Sequence, residues 1–207
     1  TFVLIALFVL PLVAYLFFAS GVNNFGRLPT LTKNVRDVSF IDDAQTFEGK
    51  ITILGFLGEE IENQKTIALN LNQKIYKPFY EFNDFQFIMI VPLHTEDKVE
   101  ALKYELSQLE DISRWNFVFA EREQIQEVFS SLETNLSLDE NIGTSYVFIV
   151  DKEANLRGRS KDEDEGVKYG YQANSVAELN NKMEDDVKII LAEYRLALKK
   201  NNATRSK

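Results

Sequence analysis

The side chains best suited to chemistry in this 207-residue chain are few and scattered. Its single imidazole is His94, in the run VPLHTED with Glu96 and Asp97 beside it. An imidazole flanked by carboxylates titrates near neutral pH or coordinates a metal, but a lone His in a polar loop is more often structural or merely exposed. Glu59, Glu60 and Glu62 fall together in GEEIENQK, a grouping that paired-carboxylate acid/base chemistry would need. Nothing in the surrounding sequence positions a substrate for them, so they read as a polar rim. Asp162, Glu163, Asp164 and Glu165 gather four carboxylates that would attract a divalent cation, yet they lack the alternating ligands and distal Glu of a calcium loop. They read as a solvated acidic loop. Cysteine is absent, which excludes disulfides, thiolate nucleophiles, zinc-cysteine sites and any CxxC centre within this sequence. No GxSxG, P-loop or GxGxxG motif occurs, and Gly55 and Gly58 are too sparse to cradle a phosphate. The residues therefore assign no catalytic, cofactor or metal site.

The elements that would carry these residues are legible from their periodicity. Residues 35–40 and 51–57 (ITILGFL) read as strands, the second apolar enough to be buried on both faces. Ile67, Leu71, Ile75 and Phe79 recur every four residues and predict a helix over 63–80, which Pro78 ends or bends. Residues 85–91 (FQFIMIV) are the next buried strand. Val99, Leu102, Leu106 and Leu109 then form one helical stripe, and 115–119 (WNFVF) a further strand. Ile125, Val128, Phe129 and Leu132 predict a third helix over 122–132. Residues 146–150 and 156–159 flank 151–155 as an antiparallel hairpin. Ser175 and Glu178 have capping-box spacing and open a last helix with Val176, Leu179, Met183, Val187, Ile190, Leu191, Tyr194 and Leu198 on one face. This order predicts an α/β, thioredoxin-like mixed sheet flanked by helices over residues 35–200.

Residues 2–19 (FVLIALFVLPLVAYLFFA) carry no charge, and about twenty helical residues cross the ~30 Å hydrocarbon layer. The reading is an uncleaved single-pass transmembrane anchor over 1–21, kinked at Pro11, followed by a juxtamembrane connection over 22–34. Phe25 and Leu28 are available there for the headgroup region or a partner. The absence of an initiating Met leads to the expectation of a few residues ahead of Thr1. Residues 21–194 hold 18 basic and 32 acidic residues, a net charge of about −14, while 195–207 hold five basic and no acidic residues. Such a body repels nucleic acid, and 201–207 read as a basic tail that frays into solvent.

The GK step at Gly49 and Lys50, the WNF strand from Trp115, and VFIVDKEANLRGR over 147–159 resemble the Sco/SenC family of membrane-anchored thioredoxin-fold copper carriers to cytochrome oxidase. In that family a CxxxC after the first buried strand and a His before the hairpin hold the metal. Counting along this sequence puts those positions at Ile61, Lys65 and Gly143, none of which is a soft ligand. The resemblance implies a non-catalytic, cofactor-free, Sco-like subunit of the bacterial inner membrane. Its domain would lie in the periplasm and dock on a membrane protein complex such as cytochrome oxidase or a respiratory supercomplex. An assembly factor without copper transfer, or a carrier or enzyme with a non-thiol site, are the alternatives. The apolar run predicts that the full chain leaves membranes only with detergent, whereas a chain lacking residues 1–21 is soluble and folded. A truncated chain with no cooperative unfolding transition, where the full chain has one, overturns that division.

Overall fold

The computed structural model describes residues 26–205 continuously, together with Val9, Pro11 and Val13. Apart from those three residues the anchor predicted over 1–21 lies outside the described residues, as does Phe25, and no helix among the described residues is long and apolar enough to cross a membrane. In chain order the strands are β1 Thr30–Thr32, β2 Ile51–Leu57, β3 Phe85–Pro92, β4 Trp115–Ala120, β5 Gly143–Val150, β6 Leu156–Arg157, β7 Arg159–Asp162, β8 Gly166–Lys168 and β9 Tyr171–Gln172. The helices are α1, from Ile61–Leu71 through a π turn at Asn72–Tyr76 to Lys77–Phe79, α2 Glu96–Ser107, α3 Arg122–Ser131 and α4, from Val176–Glu178 through Leu179–Met183 to Glu184–Arg205.

The main sheet has the order β1-β6-β5-β2-β3-β4, with β9 also on β5. β2, β3 and β4 run parallel, as strands joined by helical crossovers must, and β5 returns antiparallel to β2 with Thr52 opposite Val150. Every residue of β2 and β3 is buried because the sheet is covered on both sides. Ile51, Ile53 and Leu57 join the apolar layer beneath α1, α2 and α4, and Leu54 and Phe56 join the layer beneath α3. This alternation is the two-residue period of a strand sorted into two cores. The result is a thioredoxin-like mixed sheet between helices.

Several predicted elements shift. Residues 35–40 are not a strand but a loop with one 3₁₀ turn at Val38–Phe40. Asn34 takes a left-handed φ of 57°, turning the chain so that Val35 and Val38 both reach the core. The Asp37 carboxylate fixes this loop by accepting from the Ser39 and Phe47 N–H groups at 2.8 and 2.7 Å and from the Thr46 hydroxyl at 3.0 Å. Burial pushes its pKa up, and these donors outweigh burial, so it sits below the usual carboxylate range. The strand lies earlier, at β1, and Leu28 just ahead of it is a core residue at 3% exposure. Leu28 is therefore no surface anchor. In α1 the widened π turn falls just ahead of Pro78, which has no N–H to donate, and the helix ends one residue beyond it. Leu109 is 45% exposed because α2 stops at Ser107, and Val176 is 44% exposed because it precedes the buried stripe of α4. The tail predicted over 201–207 continues α4 helically as far as Arg205.

The β7–β8 hairpin was invisible in the apolar pattern because charge holds it. Asp162, predicted as part of a solvated loop, has a buried side chain that accepts from Lys182 Nζ at 2.7 Å, and Asp164 accepts from the same ammonium. Burial pushes Asp162 up, and the Lys182 hydrogen bond and charge pull it below its ordinary value. The wholly buried Lys168 ammonium donates to Glu165 at 2.6 Å and to Glu178 at 2.8 Å. Glu178 also accepts from the Gln172 N–H, so the box predicted with Ser175 forms only on the serine side. Arg159 grips Asp186 with both Nε and Nη2, and Asp186 accepts the Tyr171 hydroxyl at 2.6 Å.

Arg157 is the most enclosed guanidinium. It donates to the Leu28 carbonyl, to Asp151 at 3.0 Å and to Glu193 at 2.7 Å. Arg157→Met strands the buried Asp151 carboxylate and the Leu28 carbonyl, and is expected to cost about 3–5 kcal/mol of unfolding free energy by urea titration. A change under ~1 kcal/mol would show the cluster to be dispensable. The depressed Asp162 gives a second expectation: its stabilisation is present above the unfolded value of about 3.9 and is lost as pH falls through the lower folded value. Asp162→Asn should flatten the acid limb of stability between about pH 5 and pH 2; an unchanged limb refutes that assignment.

Candidate functional site

The carboxyl ends of β2, β3 and β4 converge at one pole, where open parallel sheets commonly place their sites. There Gly58 turns the chain out of β2 with φ of 68°, and its backbone lies against Gly143 at the start of β5. A Cβ on Gly58 would stand 2.7 Å from the Asn141 carbonyl oxygen and 2.9 Å from the Gly143 Cα. A Cβ on Gly143 would stand 3.2 Å from the Leu57 carbonyl oxygen. Both positions are glycine because two backbones touch. Ile142, β-branched yet at φ of 53°, carries the strain of that approach.

Polar contacts lock the loop from above. Arg122, at the start of α3, donates to the Glu59 carboxylate and to the Glu140 carbonyl, each at 3.0 Å. Lys98 of α2 donates to the Glu59 carbonyl at 3.0 Å and lies 3.6 Å from Glu62. Glu60 accepts from the Asn63 amide. The three glutamates thus lie on one rim, each with its own cationic or amide partner. Both charges of the Glu59–Arg122 pair are about half exposed, so the pair contributes at most ~1 kcal/mol and acts as a latch.

The positions that would carry soft metal ligands do not fit copper. Ile61 is buried at 2% exposure under the apolar layer, Lys65 donates to Glu105 at 2.7 Å, and Gly143 has no side chain. An alkyl group, an ammonium and a hydrogen atom supply no donor for a soft cation. His94 lies at the same pole after β3, exposed, at a left-handed φ of 69°, with its backbone N–H donating to the Glu96 carboxylate at 3.3 Å. Of the Asp162 to Glu165 carboxylates, Asp162 and Asp164 are bound to Lys182 and Glu165 to Lys168. Among the described residues no group of three His, Asp or Glu side chains is arranged to hold a metal.

A second concavity, about 690 Å³, opens at the opposite pole. It lies between Arg27, Asp151, Glu153 and Arg157 on one side and Glu193 and Tyr194 on the other. Two of its polar side chains are paired within the wall: Arg157 is bound as described, and the Tyr194 hydroxyl donates to Glu153. Burial and that carboxylate raise Tyr194 well above the ordinary phenol value. Sequence reasoning missed the Arg122 latch, whose two partners lie 63 and 18 residues away, and only the GxxG spacing of Gly55 and Gly58 hinted at a tight exit from β2.

Strand order, parallel crossovers and the terminal hairpin under a last helix define a thioredoxin-like domain without thiols. No protein-family model matches the chain, and no curated protein matches it. Among solved structures it is similar to a SCO1/SenC family lipoprotein from Bacillus anthracis, at 18% identity over 81% of this chain and 96% of the other, with a TM-score of 0.49. It is similar also to the thioredoxin domain of a thiol-disulfide oxidoreductase from Bacteroides vulgatus, at 15% identity over 80% and 98% of the two chains and a TM-score of 0.43. A third is ScoI of Arabidopsis thaliana with copper bound, at 16% identity over 69% and 86% and a TM-score of 0.37.

The backbone contact makes a sharp expectation. Gly58→Ala, forced to positive φ and into the Asn141 carbonyl, should lose more than ~1 kcal/mol of stability, and Gly49→Ala, also at positive φ but with open space around it, should lose less. Equal losses at the two positions would mean that conformation alone, and not the closed loop, dictates glycine.

Proposed function

We propose that this chain is a non-catalytic, Sco-like subunit that uses a thioredoxin-like domain as a docking module on a membrane protein complex. The observation that carries this reading is the thiol position itself, occupied by a buried isoleucine and sealed by the Gly58–Gly143 contact and the Arg122–Glu59 latch. A scaffold that keeps its sheet while filling its reactive loop retains surface and loses chemistry. The charge-free run over 2–19 supports a single-pass anchor in the bacterial inner membrane, with the domain in the periplasm. Gly26 borders the cleft at the pole opposite the loop. An anchor leading into it would hold the Glu59 rim away from the bilayer by at least the length of β2, about 20 Å. A cytochrome oxidase or respiratory supercomplex as partner follows from the Sco/SenC resemblance of the 147–159 hairpin.

Affinity capture of the full chain in mild detergent, followed by mass spectrometry, tests the reading: stoichiometric co-purification with one membrane complex supports it. His94→Ala and the triple change of Glu59, Glu60 and Glu62 to Gln should each alter that association by less than ~1 kcal/mol, because exposed residues outside a hot spot contribute little. Loss of a measurable activity by 10²-fold or more, with binding intact, would instead mark a general acid/base and refute the docking reading. So would one equivalent of chelator-resistant copper on the purified protein.

A further inference from the structure

We propose that β4 is a self-pairing edge, through which two copies of this chain join their sheets about a two-fold axis at Val118. The inference does not depend on the docking reading above. β4 pairs on one side only, with β3. The Arg114 carbonyl accepts from Phe87 N–H at 2.8 Å and the Ala120 carbonyl accepts from Leu93 N–H at 3.1 Å, so the even-numbered residues of this strand turn their backbone groups to β3. The odd-numbered residues face outward. Trp115 N–H is taken by the Ile112 carbonyl, but among the described residues neither Phe117 nor Phe119 has a partner for its N–H or C=O.

Natural sheets blunt such an edge with charge, proline, a bulge or brevity. The opposite edge obeys this, since β1 is three residues long with a register shift against β6. β4 does not: WNFVFA is six residues without a charge, a proline or a glycine. Its outward pattern is self-complementary. Antiparallel pairing centred on Val118 sets Phe117 opposite Phe119 of a second copy, twice, and each such pair exchanges two backbone hydrogen bonds, while Val118 meets its own symmetry mate.

The side chains agree with that register. Phe117 and Phe119 lie on the face covered by α2, both half-buried, so each becomes half of an aromatic cross-strand pair of the kind that stabilises a ladder. α2 runs antiparallel to β4, because it is the crossover between parallel strands. Lys103 of α2 sits over the Phe117 ring at 5.5 Å, and Glu100, its ion-pair partner at 2.8 Å, lies one helical turn nearer the carboxyl end of β4. The two-fold axis inverts that order in the second copy. Each Lys103–Glu100 pair thereby meets the other molecule's pair in the opposite order, cation toward anion, so the charges beside the seam match. Tyr104, 69% exposed on the same helix, flanks the seam.

The chain has no cysteine, so Tyr104→Cys is a single reporter on an unperturbed strand. With the full chain in detergent, sedimentation equilibrium should give a mass of two chains. A nitroxide at that cysteine should give one narrow distance of roughly 20–30 Å, about two helix diameters plus the label arms. Phe119→Lys, with near-ultraviolet circular dichroism unchanged, should weaken the dimer roughly tenfold or more and abolish the distance. A monomer at every accessible concentration overturns the proposal, as does a dimer that Phe119→Lys leaves intact. Protection of the Phe117 and Phe119 amides from hydrogen exchange only when another protein is bound would also overturn self-pairing, and give the edge to that protein.

Discussion

Burying one guanidinium organises this domain. Arg157 leaves water between the β5–β6 turn, the segment before β1 and the last helix, and each of these supplies an acceptor: Asp151, the Leu28 carbonyl and Glu193. Desolvating such a charge is tolerated only when its donors are met, so the three chain segments, separated by more than 120 residues in one case, must be in place together. Asp151 shows the same economy. Its carboxylate also accepts the N–H groups of Glu153 and Asn155, closing the turn that aims Arg157 inward. The Arg159–Asp186–Tyr171 contacts and the buried Lys168 repeat the device along α4.

This places the strong electrostatics of the molecule where the chain is tied down and leaves the other pole to weak contacts. At the carboxyl ends of the parallel strands, the Glu59–Arg122 latch is half exposed and the tight geometry comes from two glycine backbones in contact. This pole has a closed loop, the buried Ile61 and three glutamates that each meet a different partner, Arg122, the Asn63 amide and Lys98. It forms a rim above the two-layer core. The same core holds the uncharged β4 in place, since β3, buried along its whole length, pairs with β4 on one side and, among the described residues, no strand pairs with the other.

Hydrophobic periodicity in the sequence determined the order of the buried strands, the faces of α1 and α3, and the hairpin around Asp151, because period two or period four in apolar residues leaves few arrangements with both faces covered. Composition alone excluded thiol chemistry and soft-metal coordination by cysteine. Periodicity failed where polar contacts decide. Val35 and Val38 look like a strand, but Asp37 draws three donors into a loop; Leu109 matches the stripe of α2 only if the helix continues past Ser107, and it does not. β7 and β8 carry no apolar signal at all, and only the approach of α4 gives Asp162, Lys168 and Asp186 their partners. Tertiary structure alone showed that Leu28 is core, that the three glutamates of the loop have three different partners, and which residues of β4 turn their backbones outward. Each of these is a relation between residues far apart in sequence, fixed when burial forces every polar group to find a partner in space.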